Sequence, residues 1–336
     1  MKLPLSILDL APVSSGSTAS EALRNTLELA RLADRLGYTR YWFAEHHNIP
    51  SVASSSPEVL IEHVASATER IRVGSGGIML PNHTPIRVAE TFHTLEALHP
   101  GRIDLGLGRA PGTDPATIQL LRPFDSEQYG AQIAEMVALS RGDFETVRVI
   151  PDDVKLPPLW LLGSSGGSAR LAGSLGAGYS FARHFSSNPA EPAIRLYKES
   201  FQPSDHFPAP RVILGIAVVC ADTDERAEFL ASTLDLSWVR LQSGRLAPLA
   251  SPEEATAYPY TPQERALAQS YRARTFIGGP DKVRAGIAAV VEETGADEVI
   301  ISTMLHGQQD RLRSYELLAE AFALTPAPPA EVRSSS

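Results

Sequence analysis

Four stretches of this 336-residue chain hold residue types that can do chemistry. Glu45-His46-His47 sets two imidazoles beside a carboxylate. An imidazole titrates near neutrality and serves as acid, base or hydrogen-bond donor. Neighbours on extended backbone point to opposite faces, so only one of the two histidines can enter a given site. Gly74-Ser75-Gly76-Gly77 interrupts an apolar run with backbone that a flat ligand can approach closely. A tight turn or a bulge accounts for the same glycines.

Arg109 stands in Gly106-Leu107-Gly108-Arg109-Ala110-Pro111-Gly112. The glycine spacing is one residue too long for a dinucleotide fingerprint. Arg109 is a permanent cation suited to a phosphate or carboxylate, with a surface ion pair as the other reading. Gly163-Ser164-Ser165-Gly166-Gly167-Ser168 combines hydroxyls with small residues ahead of a helix, the makings of an anion site. It lacks the lysine of a Walker loop. It also fits Gly-x-Ser-x-Gly, which raises a serine hydrolase with Ser165 as nucleophile and Asp222 and His306 as partners. No His-Gly-Gly-Gly oxyanion segment precedes it. A metal site is not expected, because no His-Glu-x-x-His occurs and no His-x-His follows the first strand.

These residues need elements to position them. Short apolar strands are read at Leu3–Leu10, Tyr38–Ala44, within residues 70–81, and at Arg102–Gly106, Leu159–Leu162, Tyr179–Ala182, Val212–Cys220 and Glu298–Ser302. Helices fall between them, among them Ser20–Leu36, Pro57–Glu69, Pro85–His99, Ser165–Leu175, Pro189–Phe201 and Asp224–Arg240, with Asp310–Leu324 last. Eight strand–helix alternations without hairpin signals call for a parallel sheet with helical crossovers. The expected fold is a (β/α)₈ barrel over residues 1–324, with insertions after strands four and seven. A doubly wound open sheet is the alternative. Residues 241–270 read as an irregular insertion, and residues 325–336 as a disordered Pro/Ser tail. In a barrel, function gathers in the loops that follow the strands, where all four stretches lie.

Composition narrows the class. The formal charge of −9 is spread along the chain, which argues against nucleic acid as a partner. One cysteine, Cys220, sits in an apolar run and reads as buried and inert. No run approaches a membrane span, and the N-terminus lacks a signal-peptide core, so a cytoplasmic protein is expected.

Taken together, Phe43-Ala44-Glu45-His46-His47, Val73–Pro81 with Pro85-Ile86-Arg87-Val88-Ala89-Glu90, and Gly101–Arg109 resemble the bacterial luciferase-like monooxygenase family of flavin-dependent barrels. The resemblance implies that Gly76-Gly77 forms a strand-three bulge, often with a non-proline cis peptide, under the isoalloxazine ring. It implies that Arg109 and the Gly163, Ser164, Ser165 and Ser168 loop hold the flavin phosphate. His46 would stand beside the flavin in oxygen chemistry, and residues 241–270 would form a mobile lid. Where light-emitting members carry a reactive cysteine, this chain has Gly108, which suggests a roomier site and puts luciferase activity in doubt. The implied cofactor is reduced FMN, supplied by a separate NAD(P)H:flavin reductase and used with O2 on a small organic substrate. A homodimer is expected. F420-dependent hydride transfer and a non-catalytic flavin-binding protein are the alternatives on the same barrel.

Overall fold

The computed structural model describes residues 3–122 and 126–326. In chain order the strands are β1 (Leu5–Asp9), β2 (Arg40–Phe43), β3 (Arg72–Ser75), β4 (Ile78–Met79), β5 (Ile103–Gly108), β6 (Leu159–Gly163), β7 (Gly178–Ala182), β8 (Val212–Cys220), β9 (Thr275–Gly278) and β10 (Glu298–Ser302). Every pairing between them is parallel. The ring runs β10-β1-β2-β3-β5-β6-β7-β8 and closes by pairing β8 with β10. The chain is therefore a (β/α)₈ barrel, as its alternating pattern requires.

Side-chain alternation stacks the interior in layers. At the N-terminal end, Arg40 bonds Asp104 at 2.7 Å and Glu298 at 2.6 Å, and Ser6 Oγ donates to Glu298. These buried charges lie at the face that serves stability in such barrels. Above them Leu8, Trp42, Trp160, Ile213 and Ile300 form an apolar plug, with the two indole rings 5.6 Å apart. Trp160 fills the space a Cβ on its register partner Gly178 would need, 2.3 Å away. Toward the C-terminal rim the inward positions become mostly small: Ala44, Gly76, Gly108, Ala182 and Gly215. A filled barrel with a shallow, small-residue mouth follows.

The helices include α1 (Ala19–Leu36), α2 (Pro57–Ser66), α3 (Pro85–Leu98), α4 (Pro115–Leu121), α5 (Tyr129–Arg141), α6 (Gly166–Ser174) and α7 (Ala190–Ser200). Thr18 rather than Ser20 caps α1, through a capping box with Glu21, and α1 ends on Gly37 in the left-handed region. Among the described residues, no helix is long and apolar enough to cross a membrane.

The region expected to be irregular is ordered. After α8 (Asp224–Gln242) come α9 (Pro252–Ala257) and α10 (Pro262–Arg272), then β9 and α11 (Pro280–Thr294). Ser251 caps α9 through Glu254 N–H, and Thr261 makes a capping box with Glu264. The start signals Ser251-Pro252-Glu253-Glu254 and Thr261-Pro262-Gln263-Glu264 were present in the sequence but masked by the surrounding Pro, Tyr and Ala. β9 was also unforeseen. It pairs only with the outer half of β8, Ala217–Cys220, beyond the barrel ring. The last helix is α12 (Gln308–Ala321). Of the expected tail, Thr325 and Pro326 pack against Gly37, where a Cβ would meet the Thr325 carbonyl carbon at 2.4 Å. Residues 327–336 lie outside the described residues.

Candidate active site

His46 follows β2 and turns toward the loop after β5. Its Nδ1 lies 3.1 Å from the carbonyl oxygen of Gly112. A carbonyl only accepts, so Nδ1 carries the proton and Nε2 presents a lone pair. Burial holds the His46 pKa below the usual histidine value. The ring is therefore mostly neutral at pH 7, with Nε2 able to accept a proton, a narrower capacity than residue type alone assigned. Gly112 suits its place: its φ is +67°, and a Cβ there would stand 2.7 Å from the Glu45 carbonyl oxygen.

Glu45 points the other way, into a buried cluster. Its carboxylate accepts Met79 N–H at 2.7 Å, His47 Nε2–H at 2.9 Å and His83 Nε2–H at 2.9 Å. Desolvation pushes the Glu45 pKa up, but the hydrogen bonds from His47 and His83 outweigh it and hold the pKa at about 2. Burial pulls His83 down, and the Glu45 hydrogen bond and charge reverse this to leave it raised. The two adjacent histidines thus diverge as alternation requires, with His47 serving Glu45 and His46 serving the rim. Glu45 was quoted in the sequence motif without a role. Its signal was a carboxylate next to a strand end.

The strand-three glycines form a break. The Gly76–Gly77 peptide is cis, as the resemblance implied for this bulge. The space their missing side chains leave is taken by protein: Leu8 Cδ1 lies 2.7 Å from a Cβ on Gly76, and Gly106 O lies 2.7 Å from one on Gly77. The expected roominess at Gly108 is also corrected. Met79 Sδ sits 2.7 Å from a Cβ placed there, so the methionine fills that space. The glycines are needed for packing.

Arg109 and the serine loop stand at one level on adjacent strands. Leu107 of β5 is in register with Leu161 of β6, and Arg109 and Gly163 each follow two residues later. Arg109 is exposed and has no ion-pair partner among the described residues. Its charge is felt by the buried Tyr129 hydroxyl, which donates to Leu107 O at 3.1 Å. Ser165 occupies the N-cap of α6 without bonding the first turn, so those N–H groups carry no capping side chain. Ser168 Oγ donates to Ser165 O at 2.9 Å and fills the space beside Gly163. Ser164 O accepts from Asn188 Nδ2 at 3.0 Å.

The hydrolase constellation is not assembled. Asp222 pairs with Arg313 at 2.8 Å, and His306 Nε2 lies 3.2 Å from Ser15 Oγ. Sequence reading missed His184, in the turn after β7. Its ring packs against Gly215, whose backbone nudges its pKa up, but burial outweighs this and lowers the pKa to about 4. Protonation of His46 would lower it further, which places the two imidazoles near each other. A lone histidine in Arg183-His184-Phe185 carries no motif signal. Two open clefts, one lined by Glu96, Lys155 and His206 and the other by Lys198 and Glu292, lie off this rim and hold none of the candidate residues.

The luciferase-like monooxygenase family model matches residues 3–298. A luciferase-like monooxygenase of Escherichia coli (strain K12) is 41% identical over 320 residues, covering 94% of this chain and 96% of its own. An N-acetyl-S-alkylcysteine monooxygenase of Bacillus subtilis (strain 168) is 33% identical, covering 94% of this chain and 97% of its own. The crystal structure of apo-MsnO8 superimposes with a TM-score of 0.90 at 39% identity, covering 97% of this chain and 99% of its own. On the family model and on full-length relatives above 30% identity, this chain belongs to the luciferase-like monooxygenase family.

Proposed function

We propose that the protein is a flavin-dependent monooxygenase that uses reduced FMN and O2 on a small organic substrate. The observation that carries this reading is the pairing of an exposed, uncompensated Arg109 with the uncapped N-terminus of α6 on the neighbouring strand. A cation and a set of free N–H groups at one level make a seat for a phosphate dianion. Between that seat and His46, β5, β4 and β3 offer glycine backbone and small inward side chains, which suit a planar ring. The residues present fit FMN. Arg109, Ser164, Ser165 and Ser168 would hold its phosphate, and the Gly76–Gly77 and Gly108 backbone would support its ring.

Reduced FMN supplies the electrons that activate O2 in this chemistry. The chain's part is to bind, orient and manage protons. His46 Nε2, neutral and aimed by Gly112, accepts a proton at the rim. The small-residue mouth above the indole plug limits water below the ring. The insertion from α8 to α10 acts as the lid that shields the site. A separate NAD(P)H:flavin reductase delivers the reduced cofactor, and α2 and α3, where Val59 and Leu98 are exposed, form a homodimer contact.

The test is binding of FMN, reduced FMN and F420 to the purified protein by calorimetry. FMN binding in either redox state supports the reading. Affinity for F420 alone moves the protein to hydride transfer, and affinity for none overturns the proposal.

A further inference from the structure

The turn Arg183-His184-Phe185 after β7 and the segment from α8 to β9 meet in a corner that the flavin reading leaves unused. Trp238 of α8 stacks on Tyr271, with centroids 4.5 Å apart and planes at 19°. Arg274 lies against both rings, its guanidinium 5.5 Å and 5.8 Å from the centroids. Phe185, 62% exposed, meets Trp238 edge-on at 6.3 Å. Arg183 Nη1 donates to the Arg274 carbonyl at 2.9 Å and fixes the backbone there.

Two buried polar atoms in this corner have no partner among the described residues: Trp238 Nε1 and Arg274 Nε. Arg274 also forms no ion pair there. Its neighbour Arg272, two residues earlier, is saturated by Asp235 at 2.8 Å and by Glu228. A half-buried guanidinium without a counterion, resting on aromatic faces, is an incomplete arrangement. Indole and guanidinium groups only donate hydrogen bonds, so whatever completes it must bring acceptors and negative charge. The corner follows β7, the strand next to β6 in the ring, so it neighbours the β5–β6 phosphate seat while sharing none of its residues.

We propose that Arg274 and Trp238 bind the acidic group, a carboxylate or sulfonate, of an organic-anion substrate whose apolar part lies on Phe185. This rests on the reading of the barrel mouth as the site of reaction. His184, next to Phe185 in the same turn, packs on Gly215 and feels His46, so a substrate anchored on Arg274 can extend along this turn toward the proton acceptor.

The experiment uses phenylacetate and its neutral counterpart phenylacetamide as probes, with binding followed by tryptophan fluorescence and calorimetry. FMN affinity is measured in parallel. Wild type is expected to prefer phenylacetate by at least about tenfold, the size of one charged hydrogen bond. Arg274→Gln should abolish that preference while FMN affinity and thermal unfolding stay unchanged, and Arg274→Lys should keep part of it. Equal affinity for acid and amide in wild type, binding of neither, or a preference that survives Arg274→Gln would overturn the proposal. Loss of FMN binding in wild type with the acid preference intact would instead count against the flavin reading alone.

Discussion

The Glu45 carboxylate accepts the backbone N–H of Met79 at 2.7 Å, which ties the end of β2 to the residues just past the Gly76–Gly77 break. One buried side chain thereby fixes His46 relative to the glycine backbone. Its pKa of about 2 lies below the ordinary 4.5, so its stabilisation is complete above pH 4.5 and is lost as pH falls toward 2. Glu45→Ala removes this and strands the donors of Met79, His47 and His83. A loss of about 3 kcal/mol is expected, read from equilibrium urea unfolding at pH 7. An unchanged midpoint would show that the cluster does not stabilise the rim.

His46→Ala is expected to leave binding of reduced FMN intact and to lower oxygenation by about 10²–10⁴-fold, the usual contribution of a positioned acid or base. Product formation and reduced-flavin consumption are measured together. Unchanged product yield would remove His46 from the mechanism.

His184 makes a stability prediction that is independent of any ligand. Its folded pKa of about 4 lies below the ordinary 6.5, so as pH falls through 6.5 the unfolded chain takes up the proton first. Stability from this group is therefore full above pH 6.5 and declines toward pH 4, by about 3 kcal/mol in all. Thermal unfolding of His184→Asn should fall less steeply across that window than wild type. Parallel curves would mean that His184 titrates normally.

The barrel was legible because its eight ring strands are short apolar runs separated by helices, and each of them, β1 to β3, β5 to β8 and β10, fell where the pattern put it. The candidate site was legible where it is local. Arg109, Ser164, Ser165, Ser168 and His46 lie in stretches whose type and spacing announce a role. What could not be read is what depends on distant partners. The Glu45 cluster joins residues 34 and 38 positions apart, and β9 is a strand only because β8 extends beyond the ring. The space at Gly108 belongs to Met79, a side chain from another strand.

Two glycines on β5 give opposite expectations for one substitution. A Cβ on Gly106 would lie 2.0 Å from the Ser75 carbonyl oxygen, which is backbone and cannot yield. A Cβ on Gly108 would meet the far end of Met79, which can change rotamer. Gly106→Ala is expected to give insoluble protein or to lose several kcal/mol, whereas Gly108→Ala should cost about 1 kcal/mol or less. Soluble yield and melting temperature decide this, and similar values for the two variants would contradict the packing described.

The central claim is that Arg109 and the N-terminus of α6 hold a flavin phosphate. It is tested most directly by titrating wild type and Arg109→Ala with FMN and with riboflavin, which lacks the phosphate. Wild type is expected to bind FMN more tightly than riboflavin. Arg109→Ala should lose about tenfold or more in FMN affinity, one charge-assisted contact, and little in riboflavin affinity. Equal losses for both ligands, or no binding of FMN by wild type, would contradict the account.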